Sequence, residues 1–121
     1  MINLYAYTYP KYDLEKPGYI LTKFGDSIRD VEVRMSEQGN AAEAFAKQVV
    51  GAWNNVKNIE RDYVIHKILT KEGLHHKDGA GTEWFFIPGN TQQEAFEYLD
   101  KLIASFEGKR VRNTVKLRKL Q

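Results

Sequence analysis

The stretch INLYAYTY, residues 2–9, decides the fold, because apolar and polar side chains alternate along it. One set comprises Ile2, Leu4 and Ala6, and the other comprises Asn3, Tyr5, Tyr7 and Tyr9. Successive side chains of a β-strand point to opposite faces of the sheet. The stretch therefore predicts a strand with one apolar face and one face rich in tyrosine, and Pro10 ends it.

A second strand follows a connector that is rich in proline and charge. YILTKFG, residues 19–25, predicts this strand, which we expect to pair antiparallel with the first. Ser27 and Asp30 then resemble a capping box, which predicts a helix from about Ile28 to Glu37. The helix would bury its apolar positions, namely Ile28, Val31 and Met35.

The rest of the chain adds two strands and two helices. Residues 41–48 fit a helix and residues 47–53 fit a strand, and we favour a strand from about Lys47 to Trp53 that Asn54 and Asn55 break. The remaining predicted elements are a helix within residues 58–73 with Gly73 at its C′ position, a strand at residues 82–88, and a helix at about residues 92–106 capped by Thr91 and Glu94. The order β-β-α-β-α-β-α predicts an α+β fold, with helices flanking a small, mainly antiparallel sheet of three to four strands.

Composition and charge divide the 121 residues into a body and a basic tail. Residues 108–121 contain six of the 18 basic residues and no acid, which leaves 18 − 6 = 12 basic against 16 acidic residues in residues 1–107. The body therefore carries a formal charge of −4, and any polyanion needs a local site or the tail. The absence of cysteine excludes disulfides and fits a cytoplasmic protein, and no apolar run predicts a signal peptide or a membrane span.

Five short motifs occur in an order that resembles the GIY-YIG nuclease superfamily, and most closely its phage-T5-type branch. The motifs are Tyr5 in the first strand, KFG at residues 23–25, Arg34, His66, and EWF at residues 83–85. The resemblance spans roughly residues 2–90 and implies a GIY-YIG-like fold and a metal-dependent endonuclease acting on DNA. One motif departs from the family pattern, because Asn3-Leu4-Tyr5 stands where the family has G-I-Y.

The resemblance also implies roles for the central residues. Glu83 would hold Mg²⁺ or Mn²⁺, and Tyr5 would act as general base or position the water, with Tyr7 as an alternative. A phenol whose ordinary pKa is near 10 needs a nearby cation for this task. Lys23 would contact phosphate or supply that cation, while Arg34 would bind the phosphate through its guanidinium group. His66 would assist near the phosphate.

Further residues complete the implied substrate site. Gly25 would let the backbone approach a phosphate, because it has no Cβ atom. His76, which we expect in a mobile loop, would touch substrate, and Asn90 matches an asparagine that some family members carry after the glutamate.

Structural explanations stay open for the same residues. Glu83 and Lys23 would then be solvated strand residues, Arg34 a surface ion pair and Asn90 part of a helix cap. His66 would be a satisfied core histidine, and the tyrosines would line a half-exposed strand face.

The tail contains Leu117-Arg118-x-x-Gln121, which resembles the lead-in to superfamily 2 helicase motors. This resemblance implies a fused C-terminal motor and a role in restriction or in defence against phage and mobile elements. A basic tail that adds phosphate affinity explains the same residues. Two other functions also remain: a catalytically silent nucleic-acid-binding module, and an interaction domain in which Tyr5, Arg34 and Glu83 would lie apart.

Overall fold

Five antiparallel strands form one sheet in the computed structural model, which describes residues 2–9, 16–29, 47–76, 83–108 and 113–115. The strands are β1 (Ile2–Thr8), β2 (Tyr19–Ser27), β3 (Gln48–Val56), β4 (Trp84–Pro88) and β5 (Asn113–Val115). Their order across the sheet is β4-β2-β1-β3-β5. The predicted α+β class, the antiparallel sheet and the pairing of the first two strands are confirmed.

β1 lies at the centre of the sheet, and its alternation divides the two faces as predicted. Ile2, Leu4 and Ala6 belong to the hydrophobic core. Tyr5 and Tyr7 point to the other face and are each only 1% exposed. The tyrosines are therefore buried, and a half-exposed tyrosine face is wrong.

Two helices contribute apolar side chains to the core: α1 (Tyr63–Lys71) and α2 (Gln92–Glu107). Their fully buried core residues are Ile65 and Leu69 on α1, and Ala95, Leu99 and Ile103 on α2. Trp53 of β3 stacks on Phe96 of α2 with ring centroids 5.5 Å apart, and its indole N–H donates to Asp100 Oδ1 at 3.0 Å. These contacts fix α2 across the sheet.

The ends of the helices carry the predicted caps. Gly73 has a φ of 78°, and the N–H of Leu74 donates to the carbonyl of Leu69, which is the Schellman arrangement at the end of α1. At the start of α2, Thr91 Oγ1 accepts the N–H of Glu94 at 3.1 Å.

Two predicted boundaries are wrong. β3 does not break at Asn54 and Asn55 but continues through a bulge to Val56. Asn55 adopts a φ of 55°, and its N–H donates to Asn3 Oδ1 at 2.9 Å, which satisfies the backbone at the bulge. α1 starts only at Tyr63, although the predicted helix begins near residue 58, and Tyr63 is 54% exposed.

The segment after β2 is described only in part. Ser27 ends β2, and its Oγ accepts the N–H of Arg29 at 2.9 Å. Ile28 is 88% exposed, so its predicted burial is wrong. The rest of the helix predicted up to Glu37, including Arg34, lies outside the described residues.

β5 is an element that the sequence did not predict. It lies within residues 108–121 and pairs with β3 through Ala52, Trp53 and Asn54. The division between a nuclease body and a basic tail stays a prediction. Among the described residues, no helix is long and apolar enough to cross a membrane.

Candidate active site

An aromatic surface covers the side of the sheet that faces away from the core, and we call Tyr5, Tyr7, Tyr9, Lys23 and Trp84 the tyrosine face. Tyr5 and Tyr7 stack with ring centroids 6.1 Å apart, because both point the same way from β1. Trp84 of β4 packs edge-on against Tyr7 at 6.0 Å. The tyrosine face therefore links β1, β2 and β4.

Gly25 lies opposite Tyr5 in the β1–β2 ladder. A Cβ atom built on Gly25 would lie 2.4 Å from Tyr5 Oη and 2.5 Å from Tyr5 Cζ. The glycine thus makes room for the phenol of Tyr5. Its predicted close approach to a phosphate stays a prediction.

Lys23 and Glu83 form an ion pair at the edge of the tyrosine face. Their Nζ and Oε2 atoms are 3.4 Å apart, and their side chains are 19% and 40% exposed. The Lys23 ammonium also lies 5.9 Å from the centre of the Tyr7 ring, since Lys23 pairs with Tyr7 across the ladder. Phe24, the next residue, points into the core, as the strand alternation predicts.

Lys47 is a further cation on the tyrosine face, and the sequence analysis missed it. Its Nζ lies 4.4 Å from the centre of the Tyr7 ring, and the residue has 0% exposure. Full burial is rare for lysine and costs free energy that the aromatic ring only partly offsets. The sequence contains no local signal for the burial of Lys47, because this residue precedes β3 as an ordinary polar residue.

His66 lies on the core side of β2. Its Nε2 is 2.7 Å from the carbonyl oxygen of Phe24, so Nε2 carries the proton that it donates. The imidazole packs on Phe85 with centroids 5.0 Å apart, and Asp62 Oδ2 lies 3.6 Å from Nε2. These contacts agree with a satisfied core histidine. They also place His66 behind the backbone of the KFG motif.

Three carboxylates, those of Asp26, Asp62 and Glu83, lie near His66 and the KFG motif. The pKa of Asp62 is raised to about 6, mainly by burial; His66 opposes the rise, and the charges of Asp26 and Glu83 add to it. Asp26 Oδ2 accepts the N–H of Asp62 at 2.7 Å and the Nε–H of Arg61 at 2.9 Å. Glu83 therefore stands between Lys23 and an acidic neighbourhood.

Whether the site can hold a divalent metal ion depends on the Glu83 carboxylate. Among the described residues, no group of three or more histidine or acidic side chains is arranged to hold a metal ion. Mg²⁺ is often bound by only one or two carboxylates, with substrate phosphate and water as the other ligands. A single, partly exposed glutamate fits that kind of site.

The remaining predicted residues lie elsewhere or outside the described chain. Asn90 is at the opposite end of β4 from Glu83, and its N–H donates to Glu94 Oε1 at 2.7 Å, which agrees with a cap role. His76 is held against β4 rather than in a loose loop, because its N–H donates to the carbonyl of Trp84 at 3.0 Å. Arg34 lies outside the described residues.

The described parts of the predicted site thus fall into two groups. Tyr5, Tyr7, Lys23 and Gly25 lie on the tyrosine face with Glu83 at its edge, whereas His66 lies behind the sheet. Comparisons with protein-family models, with curated proteins and with solved structures give no significant match.

Proposed function

We propose that the chain is a divalent-metal-dependent endonuclease that hydrolyses DNA phosphodiester bonds. The observation that carries this proposal is the 3.4 Å ion pair between Lys23 and Glu83 beside the tyrosine face. It joins the KFG and EWF motifs, which are far apart in the sequence, next to the strand that holds Tyr5. The resemblance to the GIY-YIG superfamily supports the same assignment.

The chemistry follows from the roles of these side chains. A water oxygen forms a bond to phosphorus as the bond to the leaving ester oxygen breaks, and the water proton passes to a base. The phenolate of Tyr5, or that of Tyr7 beside the Lys23 and Lys47 ammoniums, would accept that proton. Lys23 and Arg34 would bind the phosphate oxygens. Glu83 would hold Mg²⁺ or Mn²⁺, which would supply positive charge to stabilise the charge that develops on the phosphate and the leaving oxygen.

The biological setting is proposed from the resemblance alone. A cytoplasmic restriction or phage-defence enzyme, with DNA as its partner and a helicase-type motor fused after the tail, fits both resemblances. The body charge of −4 leads us to expect weak DNA affinity without such a neighbour.

Nicking of supercoiled plasmid tests the nuclease proposal. We expect nicking with Mg²⁺ or Mn²⁺, none with EDTA, and a loss of about 100-fold or more in Glu83→Gln. Glu97→Gln is the matched control, because Glu97 is an exposed glutamate on α2 and should leave nicking unchanged. Equal nicking by wild type and Glu83→Gln would contradict the assignment of the metal ligand.

A catalytically silent nucleic-acid-binding module is the second candidate, and one observation favours it. Tyr5 and Tyr7 are each 1% exposed, whereas a general base must reach the attacking water. This candidate predicts DNA binding by both wild type and Glu83→Gln, with no metal-dependent nicking by either protein.

A further inference from the structure

The outer side of α1 borders an open groove of about 500 Å³. The groove is lined by Tyr63, His66, Lys67, Thr70, Lys71 and His75. Four of these, Tyr63, Lys67, Thr70 and Lys71, are exposed residues of α1. The groove lies on the core side of the sheet and approaches the candidate active site at its edge, because His66 bonds the carbonyl of Phe24 in the KFG motif and the nearby Asp62 feels the charge of Glu83.

The two lysines of the groove place two like charges close together on α1. Lys67 and Lys71 are four residues apart on one helix, a spacing at which like charges destabilise the helix by roughly 0.2–0.5 kcal/mol. Within the part of the chain that the structure describes, neither lysine forms an ion pair. Both cations are therefore available to an external anion.

The exposed side chains are also the types that contact a nucleic-acid backbone. Lysine ammoniums and the hydroxyls of threonine and tyrosine are among the groups that contact phosphate oxygens in protein–DNA complexes. Tyr63, Lys67 and Lys71 follow one another at four-residue steps, which places them about 6 Å apart along the helix axis. A row of donors at this spacing matches an extended polyanion better than a single small anion.

We propose that this groove binds the sugar–phosphate backbone of the DNA strand that leads away from the active site. The inference rests on the proposed function and extends it, because it places the flanking substrate along α1. It also explains how a body with a net charge of −4 can hold DNA, since the binding cations are concentrated on one helix face.

Fluorescence anisotropy with a short labelled duplex and a labelled oligothymidine tests the proposal in EDTA, where no cleavage occurs. We expect the double variant Lys67→Gln/Lys71→Gln to bind the duplex about tenfold more weakly than wild type. The slope of log K against log salt should become shallower by about 1.8, because two phosphate contacts are lost. The oligothymidine should show a smaller change in slope, of about 1.4, if the groove contacts single strands in the same way.

Lys57→Gln/Lys101→Gln is the matched control, since it removes the same charge outside the groove. The proposal is overturned if the control weakens binding as much as the groove variant, if the groove variant binds like wild type, or if wild type does not bind at low salt. The readout separates the two proposals. If the groove variant loses binding and wild type does not nick, the nuclease proposal is wrong and the groove proposal stands. If wild type nicks and the groove variant binds like wild type, the groove proposal is wrong and the nuclease proposal stands.

Discussion

Gly25 and Tyr5 form the tightest contact of the candidate site. The phenol lies so close above the glycine that any Cβ atom would overlap its hydroxyl at 2.4 Å and its ring at 2.5 Å. The last residue of the KFG motif therefore has a packing reason to be glycine, independent of any phosphate. This reason also ties the motif to Tyr5, the residue proposed as general base.

Gly25→Ala should destabilise the protein by about 1–3 kcal/mol in urea denaturation, because the added methyl group overpacks the contact with Tyr5. A double-mutant cycle provides the control. In a Tyr5→Leu background the ring is gone, so the same substitution should cost clearly less. An equal cost in both backgrounds would show that the contact with Tyr5 is not the cause.

The sequence predicted individual residues well where a motif and a strand alternation agreed. The side chains of Tyr5 and Lys23 lie on the tyrosine face and that of Phe24 lies in the core, as the strand period of two predicts. Glu83 forms an ion pair with Lys23. Lys47 and Asp62 could not be recognised as parts of this region, because their contacts with Tyr7 and with Asp26 join segments far apart in the chain. Such long-range contacts leave no local pattern in the sequence.

At the scale of elements, the strands and the C-terminal helix were more predictable than α1. Thr91, Glu94 and the apolar stripe of α2 give local signals, and the structure follows them. Residues 58–62 belong to the predicted helix, yet Ile59 is buried there outside any described helix. Tertiary contacts of Asp26 with Arg61 and the Asp62 N–H decide where α1 starts.

Asp62 is the N-cap of α1, but its side chain makes no capping hydrogen bond. Burial is the main cause that raises its pKa from 3.8 to about 6; the charges of Asp26 and Glu83 add to the rise, and His66 opposes it. The folded state therefore holds a proton that the unfolded state releases between these values, so the stability of the protein falls as pH rises through this window. The loss above pH 6 amounts to roughly 3 kcal/mol at most.

Asp62→Asn should remove this loss, because asparagine is close to aspartate in size, keeps the backbone N–H that Asp26 accepts, and carries no charge. We expect the variant to be about 1–3 kcal/mol more stable than wild type at about pH 7.5, with most of the gain gone near pH 4. Thermal denaturation across this range measures the difference. Glu60→Gln, at an exposed position before α1, should follow the wild-type profile. A constant offset between Asp62→Asn and wild type at all pH values would contradict the assignment.

At the scale of the whole molecule, the fold class was predictable from the sequence, but the extent of the sheet was not. β5 comes from a segment whose basic composition predicts a tail, and three residues are too few to show a strand period. Its pairing with Ala52, Trp53 and Asn54 joins it to the strand that also carries the contacts to α2. Residues 113–115 thus belong to the sheet, although the basic composition of residues 108–121 predicts a tail or linker.

Two truncated chains test whether β5 is structural. A chain that ends at Val115 should unfold like the full chain, whereas one that ends at Gly108 should lose about 1–3 kcal/mol, because it lacks the hydrogen bonds between β3 and β5. The shorter chain also presents the edge of β3, which should increase self-association in light scattering after size-exclusion chromatography. Urea denaturation of the two chains supplies the comparison, and the chain that ends at Val115 controls for the loss of the basic residues after it. Equal stability of the two chains would mean that β5 adds nothing to the sheet, and that residues 109–121 act as the predicted tail.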